Sequence, residues 1–135
     1  MDSIADPVNI MAPYQQNNTC SPFLAANANT TCTLGNMATY AINVSDAASA
    51  AAGVKFAHKH NLRLVVKNTG HDHLGRASGR GALALWTHHL KDKTLVDYHS
   101  RLYTGPALRL GAGVQVRELN VFAGANRLRA VGGSK

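Results

Sequence analysis

The sequence predicts a small α/β (α+β) domain in which two main helices lie on a mixed sheet. Three observations predict it: short apolar runs of strand length from Tyr40 onward, two helix-period stretches set between them, and glycine-rich connections at their ends. The chain has 135 residues, 45% hydrophobic and 16% charged, which is enough apolar material for one packed core and too short for two ordinary domains. No apolar run reaches the roughly 18 residues of a membrane span, because residues such as Lys55, Lys67 and Thr87 interrupt them. No membrane partner is therefore expected.

Residues 1–36 are polar and rich in Asn, with Pro13 and Pro22 as breakers, and read as an extended arm ahead of a domain over 37–135. In Met37–Val44 the residues Tyr40, Ile42 and Val44 alternate with smaller or polar ones, which predicts a strand. Ser45 is the expected N-cap, with Asp46 in the first turn. Over Asp46–His60 the residues Ala47, Ala50, Ala51, Val54 and Ala57 share one stripe at helical spacing, with Phe56 on the opposite side. Leu62–Val66 follows as a short strand, so this part reads as a βαβ unit with parallel strands and a right-handed crossover. Further strands are expected at Ala82–Trp86, Leu95–Tyr98 and Ala107–Leu110. Beyond them come a helix over Val114–Asn126, in spite of Gly124, and a closing strand at Leu128–Val131. That last strand has nothing after it to cover it, as expected of a fragment.

The 14 Lys and Arg against 7 Asp and Glu give a net charge of +7, which raises the question of nucleic acid. The basic residues are scattered singly and in pairs from Lys55 to Lys135, aromatic content is 6%, and no helix-turn-helix, zinc-finger or RNA-binding motif occurs. No nucleic-acid partner is expected. Compartment signals conflict. The first 25 residues lack the basic and apolar regions of a signal peptide. Yet Asn17-Asn18-Thr19, Asn29-Thr30-Thr31 and Asn43-Val44-Ser45 fit the glycosylation acceptor pattern, and Cys20 and Cys32 are spaced for a short disulfide loop as readily as for two free thiols.

The segment that carries chemistry is Lys67-Asn68-Thr69-Gly70-His71-Asp72-His73-Leu74-Gly75-Arg76-Ala77-Ser78-Gly79-Arg80-Gly81. Loops beyond strand ends in α/β sheets are where ligands settle, and closely spaced glycines let successive N–H groups converge on an anion. Lys67, Arg76 and Arg80 add positive charge, so a phosphate or pyrophosphate is the natural guest. A glycine-rich loop that only connects two strands is the competing reading. Gly70 and Gly75 have P-loop spacing, but Arg76 stands where Lys is needed and Ala77 where Ser or Thr must hold magnesium. The spacing and helix of the Rossmann fingerprint are also lacking. His71, Asp72 and His73 would offer a metal two or three ligands without an evident fourth, so no metal site is assigned. His58, His60, His88, His89 and His99 read as surface or core histidines.

With Trp86-Thr87-His88-His89-Leu90 following it, this run resembles the flavin-binding signature of fungal FAD-linked oxidoreductases. These are the vanillyl-alcohol-oxidase or berberine-bridge-enzyme-like group, with a PCMH-type FAD-binding domain. Cys32-Thr33-Leu34-Gly35-Asn36, the Ser45–His60 helix, Tyr103-Thr104-Gly105, Gly111-Ala112-Gly113-Val114-Gln115 and Val131-Gly132-Gly133 fall in that family's order. The resemblance implies FAD as cofactor, with the backbone N–H groups of Asn68, Thr69, Gly70, His71 and Asp72 around its pyrophosphate and Lys67, His73, Leu74, Gly75 and Arg76 alongside. It also implies His71 as a point of covalent attachment, since an uncharged imidazole nitrogen is a nucleophile.

By the same resemblance the intact protein oxidises a C–H bond next to O or N of a small molecule, passes hydride to the flavin and often uses oxygen as acceptor. The family continues past Val131-Gly132-Gly133 with an acidic residue and Cys-Pro, whereas here Ser134-Lys135 follow. No residue of the chain is assignable as the catalytic base. The expectation is thus the FAD-binding portion of such an enzyme, truncated at both ends and inactive alone, and the alternative is a non-catalytic phosphate- or nucleotide-binding remnant. The family and the acceptor sequons point to secretion and a glycoprotein; the start of the chain does not.

Overall fold

The computed structural model describes residues 31, 33–72 and 74–132, which form two compact units, one through His88 and one from His89. The sequons at Asn17 and Asn29, both cysteines and His73 lie outside the described residues.

In the first unit, strands β1 (Tyr40–Asn43), β2 (Leu64–Lys67) and β3 (Leu83–Trp86) form a parallel sheet with helix α1 (Ala47–Lys59) joining β1 to β2. The order is β1-β3-β2: the two strands of the expected βαβ unit are parallel, but β3 is inserted between them. Being central, β3 has the apolar content that burial on both faces demands, and Leu83, Ala84 and Leu85 are all buried. In register, Asn43, Trp86 and Lys67 form the last row of the sheet, so all three strands end on one side, where the long loop leaves β2.

Helix α1 differs from expectation at its start and on its face. Its N-cap is Asp46, not Ser45. The Asp46 carboxylate accepts the Ser49 N–H at 2.6 Å, and the Ser49 hydroxyl accepts the Asp46 N–H at 3.1 Å, a reciprocal capping box. The Ser49 hydroxyl also accepts the Ser45 N–H at 3.1 Å, so Ser45 is held as a donor outside the helix. Of the expected stripe Ala47, Ala50, Ala51, Val54 and Ala57, Ala57 is buried and Ala50 partly so, and the rest is exposed. Gly53 and Ala57 are buried, while Val54 is 48% exposed. Counting side-chain size misses Gly53 because contact is made by the residue with none: a Cβ on Gly53 would lie 2.5 Å from Leu85 Cδ2 and 3.1 Å from Ile42 Cδ1. Phe56 is half exposed and its ring lies 4.5 Å from that of His60.

In the second unit, strands β4 (Lys93–His99) and β5 (Thr104–Leu110) form an antiparallel hairpin, followed by helix α2 (Val116–Ala125). The Ser100 hydroxyl accepts the Leu102 and Tyr103 N–H groups in the turn. Glu118 closes the start of α2, its carboxylate accepting both the Gln115 N–H and the Lys91 ammonium at 2.8 Å. Parallel and antiparallel pairing are both present, as a mixed sheet implies, but divided between two sheets. Leu128–Val131 is not a strand. Its first N–H bonds back to the Ala123 carbonyl at 2.9 Å and so finishes the end of α2.

Candidate functional site

The loop over 67–81 is fastened at three places within the first unit. At its start the Thr87 N–H donates to the Lys67 carbonyl at 2.9 Å, and the Trp86 indole N–H donates to the Asn68 carbonyl at 3.1 Å. At its far end, the Ser78 hydroxyl donates to the Asn36 carbonyl at 3.0 Å and the Arg80 N–H to the Asn36 side-chain oxygen at 3.1 Å. There Gly79 is buried, with room for a Cβ only at van der Waals distance from Arg63, Ala82 and Val65. In the middle, the Asp72 carboxylate organises everything that follows it. It accepts the N–H groups of Leu74 (3.3 Å), Arg76 (2.6 Å) and Ala77 (3.2 Å) and pairs with the Arg76 guanidinium at 3.1 Å. The Gly75 N–H meets the Asp72 carbonyl at 3.0 Å. These bonds, the Arg76 side chain first, hold the Asp72 carboxyl below its usual range against a smaller opposing effect of desolvation.

Between the start and the middle lies a row of different character. The N–H groups of Thr69, Gly70, His71 and Asp72 have no acceptor among the described residues, although all four residues are partly buried. Gly70 has φ +91°, a conformation that L side chains avoid. It leaves space for Lys67, whose Cε would sit 2.9 Å from a Cβ on Gly70. Lys67 is half-buried, and desolvation pushes its ammonium pKa down. Partly buried N–H donors beside a desolvated ammonium suit an anion with several acceptor oxygens, such as a phosphate or pyrophosphate. A diphosphate-bearing cofactor therefore fits the residues present.

The structure thus separates the residues singled out from the sequence. It sets Lys67 against Gly70, within the run Thr69–Asp72 whose N–H groups lack acceptors among the described residues, and uses the Asn68 carbonyl as an anchor. Leu74 and Arg76 are turned to Asp72 instead, and Leu74 itself is 79% exposed. Sequence reasoning gave Trp86 and Asn36 no site role, although both stand in runs that carry the family resemblance. Trp86 carried a signal, since an indole at a strand end needs a partner for its N–H. It also stacks on the buried His88, ring centroids 5.8 Å apart. Asn36, at the edge of the polar arm, carried no signal of its hydrogen bonds to the loop. Among the described residues, no group of three or more His, Cys, Asp or Glu is placed to hold a metal, and no helix is long and apolar enough to cross a membrane.

No family model matches the chain. It is 49% identical over 124 residues to the FAD-linked oxidoreductase sthB of Phaeosphaeria nodorum, covering 92% of this chain and 39% of that protein. It is 45% identical over 129 residues to the VAO-type flavoprotein oxidase VAO615 of Thermothelomyces thermophilus, covering 95% of this chain and 22% of that one. Among solved structures, the VAO-type flavoprotein MtVAO615 of Myceliophthora thermophila superposes with a TM-score of 0.81 at 46% identity, over 89% of this chain and 22% of that one. MtVAO713 from the same organism superposes with a TM-score of 0.74 at 38% identity, over 87% of this chain and 22% of that one. The chain therefore spans about two fifths or less of the length of these relatives. Sequence and fold together make it a homologue of one segment of the FAD-linked, VAO-type flavoprotein oxidoreductases.

Proposed function

We propose that the chain is the FAD-binding portion of a flavin-dependent oxidoreductase. Residues 37–135 would be part of a PCMH-type domain of the berberine-bridge-enzyme-like kind, with 1–36 as an arm. The observation that carries the reading is the row of N–H groups from Thr69 to Asp72 beside the half-buried Lys67, in a chain similar to FAD-linked proteins. These N–H groups would hold the pyrophosphate and Lys67 would offset its charge, while Trp86, through the Asn68 carbonyl, would keep the row in place. His71, within that row, would be the point of covalent attachment. When bound, FAD would supply the two-electron acceptor for oxidising a C–H bond next to O or N in a small molecule. The intact protein would carry that activity, with the base contributed from outside the chain. Asn43, exposed at the end of β1, would be available as the acceptor in the described sequon, which supports reading the intact protein as a secreted glycoprotein.

The test is reconstitution of the 135-residue chain with FAD, removal of free ligand and an absorbance spectrum. Retained flavin bands support the proposal, and fluorescence that stays on the denatured chain supports attachment at His71. Retention of ADP but not of flavin would favour the non-catalytic nucleotide-binding reading, and retention of neither would overturn both.

A further inference from the structure

The loop holds two groups of N–H donors, and among the described residues only one of them lacks an acceptor. Residues 69–72 form the first. In the second, the Leu74, Arg76 and Ala77 N–H groups and the Arg76 guanidinium converge on one point, as they would on a phosphate, and the Asp72 carboxylate occupies that point. We propose that Asp72 is a positioning residue whose carboxylate is the permanent, built-in anion of the 74–77 half of the loop, confining any phosphate ligand to the 69–72 half. This rests on the proposed function for the identity of the ligand, but not for the filling of the second half.

Three features support it. The Asp72 side chain is only 20% exposed whereas that of Arg76 is 76% exposed, so the carboxylate sits inside the ring of donors with the guanidinium over it. Both carboxylate oxygens are engaged, Oδ1 by Leu74 and Arg76 and Oδ2 by the Arg76 and Ala77 N–H groups. The Asp72 N–H belongs to the first half while its carboxylate belongs to the second, so one residue sets the boundary and the relative orientation of both. Pairing with Arg76 also offsets a negative charge that would otherwise stand beside a bound phosphate.

The experiment is an amide chemical-shift titration of the 135-residue chain with inorganic phosphate and with ADP, on the natural sequence, Asp72→Asn and Asp72→Ala. In the natural sequence the 69–72 amides should move with ligand while those of Leu74, Arg76 and Ala77 stay still and exchange with solvent more slowly. In Asp72→Ala the 74–77 amides should become responsive to inorganic phosphate, and binding at 69–72 should weaken several-fold. Asp72→Asn, which keeps the shape and loses the charge, should show the same changes to a smaller degree.

Equal response of both halves in the natural sequence would overturn the proposal without any variant. So would failure of the 74–77 amides to respond in both variants. If no amide of the natural sequence responds but those of 74–77 do in Asp72→Ala, the role of Asp72 stands and the proposed flavin site fails.

Discussion

Alanine in place of Gly53 should destabilise the chain, although the same change elsewhere in a helix stabilises. On propensity alone, Gly→Ala inside a helix is worth about 1 kcal/mol in favour of folding. At Gly53 the added Cβ would lie 2.5 Å from Leu85 Cδ2 and 3.1 Å from Ile42 Cδ1, and Leu85 is 5% exposed with little room to turn. Overpacking of this kind costs about 1–3 kcal/mol. The net effect is a loss of about 1 kcal/mol, within a range of about 0–2. Gly124 of α2 is the control: nothing lies within 4 Å of its Cβ position, so Gly124→Ala should stabilise by about 0.5–1 kcal/mol. Shortening the opposing side chain supplies a second control. Gly53→Ala combined with Leu85→Val should cost about 1 kcal/mol less than the sum of the two single changes, because the valine lacks the clashing carbon. Urea unfolding followed by circular dichroism and by the fluorescence of Trp86, the one tryptophan, measures all four variants. If Gly53→Ala stabilises as much as Gly124→Ala, or the double variant is additive, the close packing of α1 on the sheet is refuted.

Four further outcomes are expected. Trp86→Phe keeps a ring against His88 but removes the donor to the Asn68 carbonyl, at a cost of about 1 kcal/mol, so hydrogen exchange at 69–71 should quicken and FAD retention fall. Gly111→Ala would set a Cβ onto the Leu90 carbonyl, 2.7 Å from its carbon, and break the pairing of Gly111 with Asp92. Because backbone atoms cannot turn aside, the loss should be about 3 kcal/mol or more, seen in urea unfolding.

Burial pushes the Glu118 carboxyl up, but the Lys91 ammonium and the Gln115 N–H outweigh it and hold the group below its ordinary 4.5. Its folded pKa being the lower one, its stabilisation is complete above 4.5 and is lost as pH falls through the folded value, and Glu118→Gln should flatten that part of the stability profile. Lys67→Met removes a desolvated ammonium and should stabilise the free chain near neutral pH, the gain shrinking as pH approaches the ordinary lysine value of 10.5, while weakening FAD binding about tenfold or more in a fluorescence titration.

Periodicity found the strands and helices because burial on a sheet or a helix face leaves a repeating trace, and Leu83–Trp86 and Val116–Ala125 fall inside the expected ranges. It found Ala57 on the buried face of α1 but missed Gly53, which contributes a close approach and no apolar surface. It added a strand at Leu128–Val131 because an apolar run cannot announce that its N–H is already used by the end of a helix. In the loop, the glycines, Lys67, Arg76 and Arg80 were the ground for expecting an anion beyond the strand end. The division of labour between Asp72 as donor and Asp72 as acceptor was not readable, since a carboxylate beside an arginine looks the same in sequence whether it serves a ligand or the loop itself.

The insertion of β3 between β1 and β2 has a consequence for how the chain comes to be folded. Residues 40–67 can form their helix early, but neither flanking strand has its native partner until Leu83–Trp86 arrives. The closure that joins them is the 67–81 loop, so its entropic cost falls on the step that completes the sheet. A ligand held by that loop would be bound by the closed sheet and not by the open one, and by mass action would draw the first unit toward its native order. Cofactor supply during synthesis would then set the yield of folded protein.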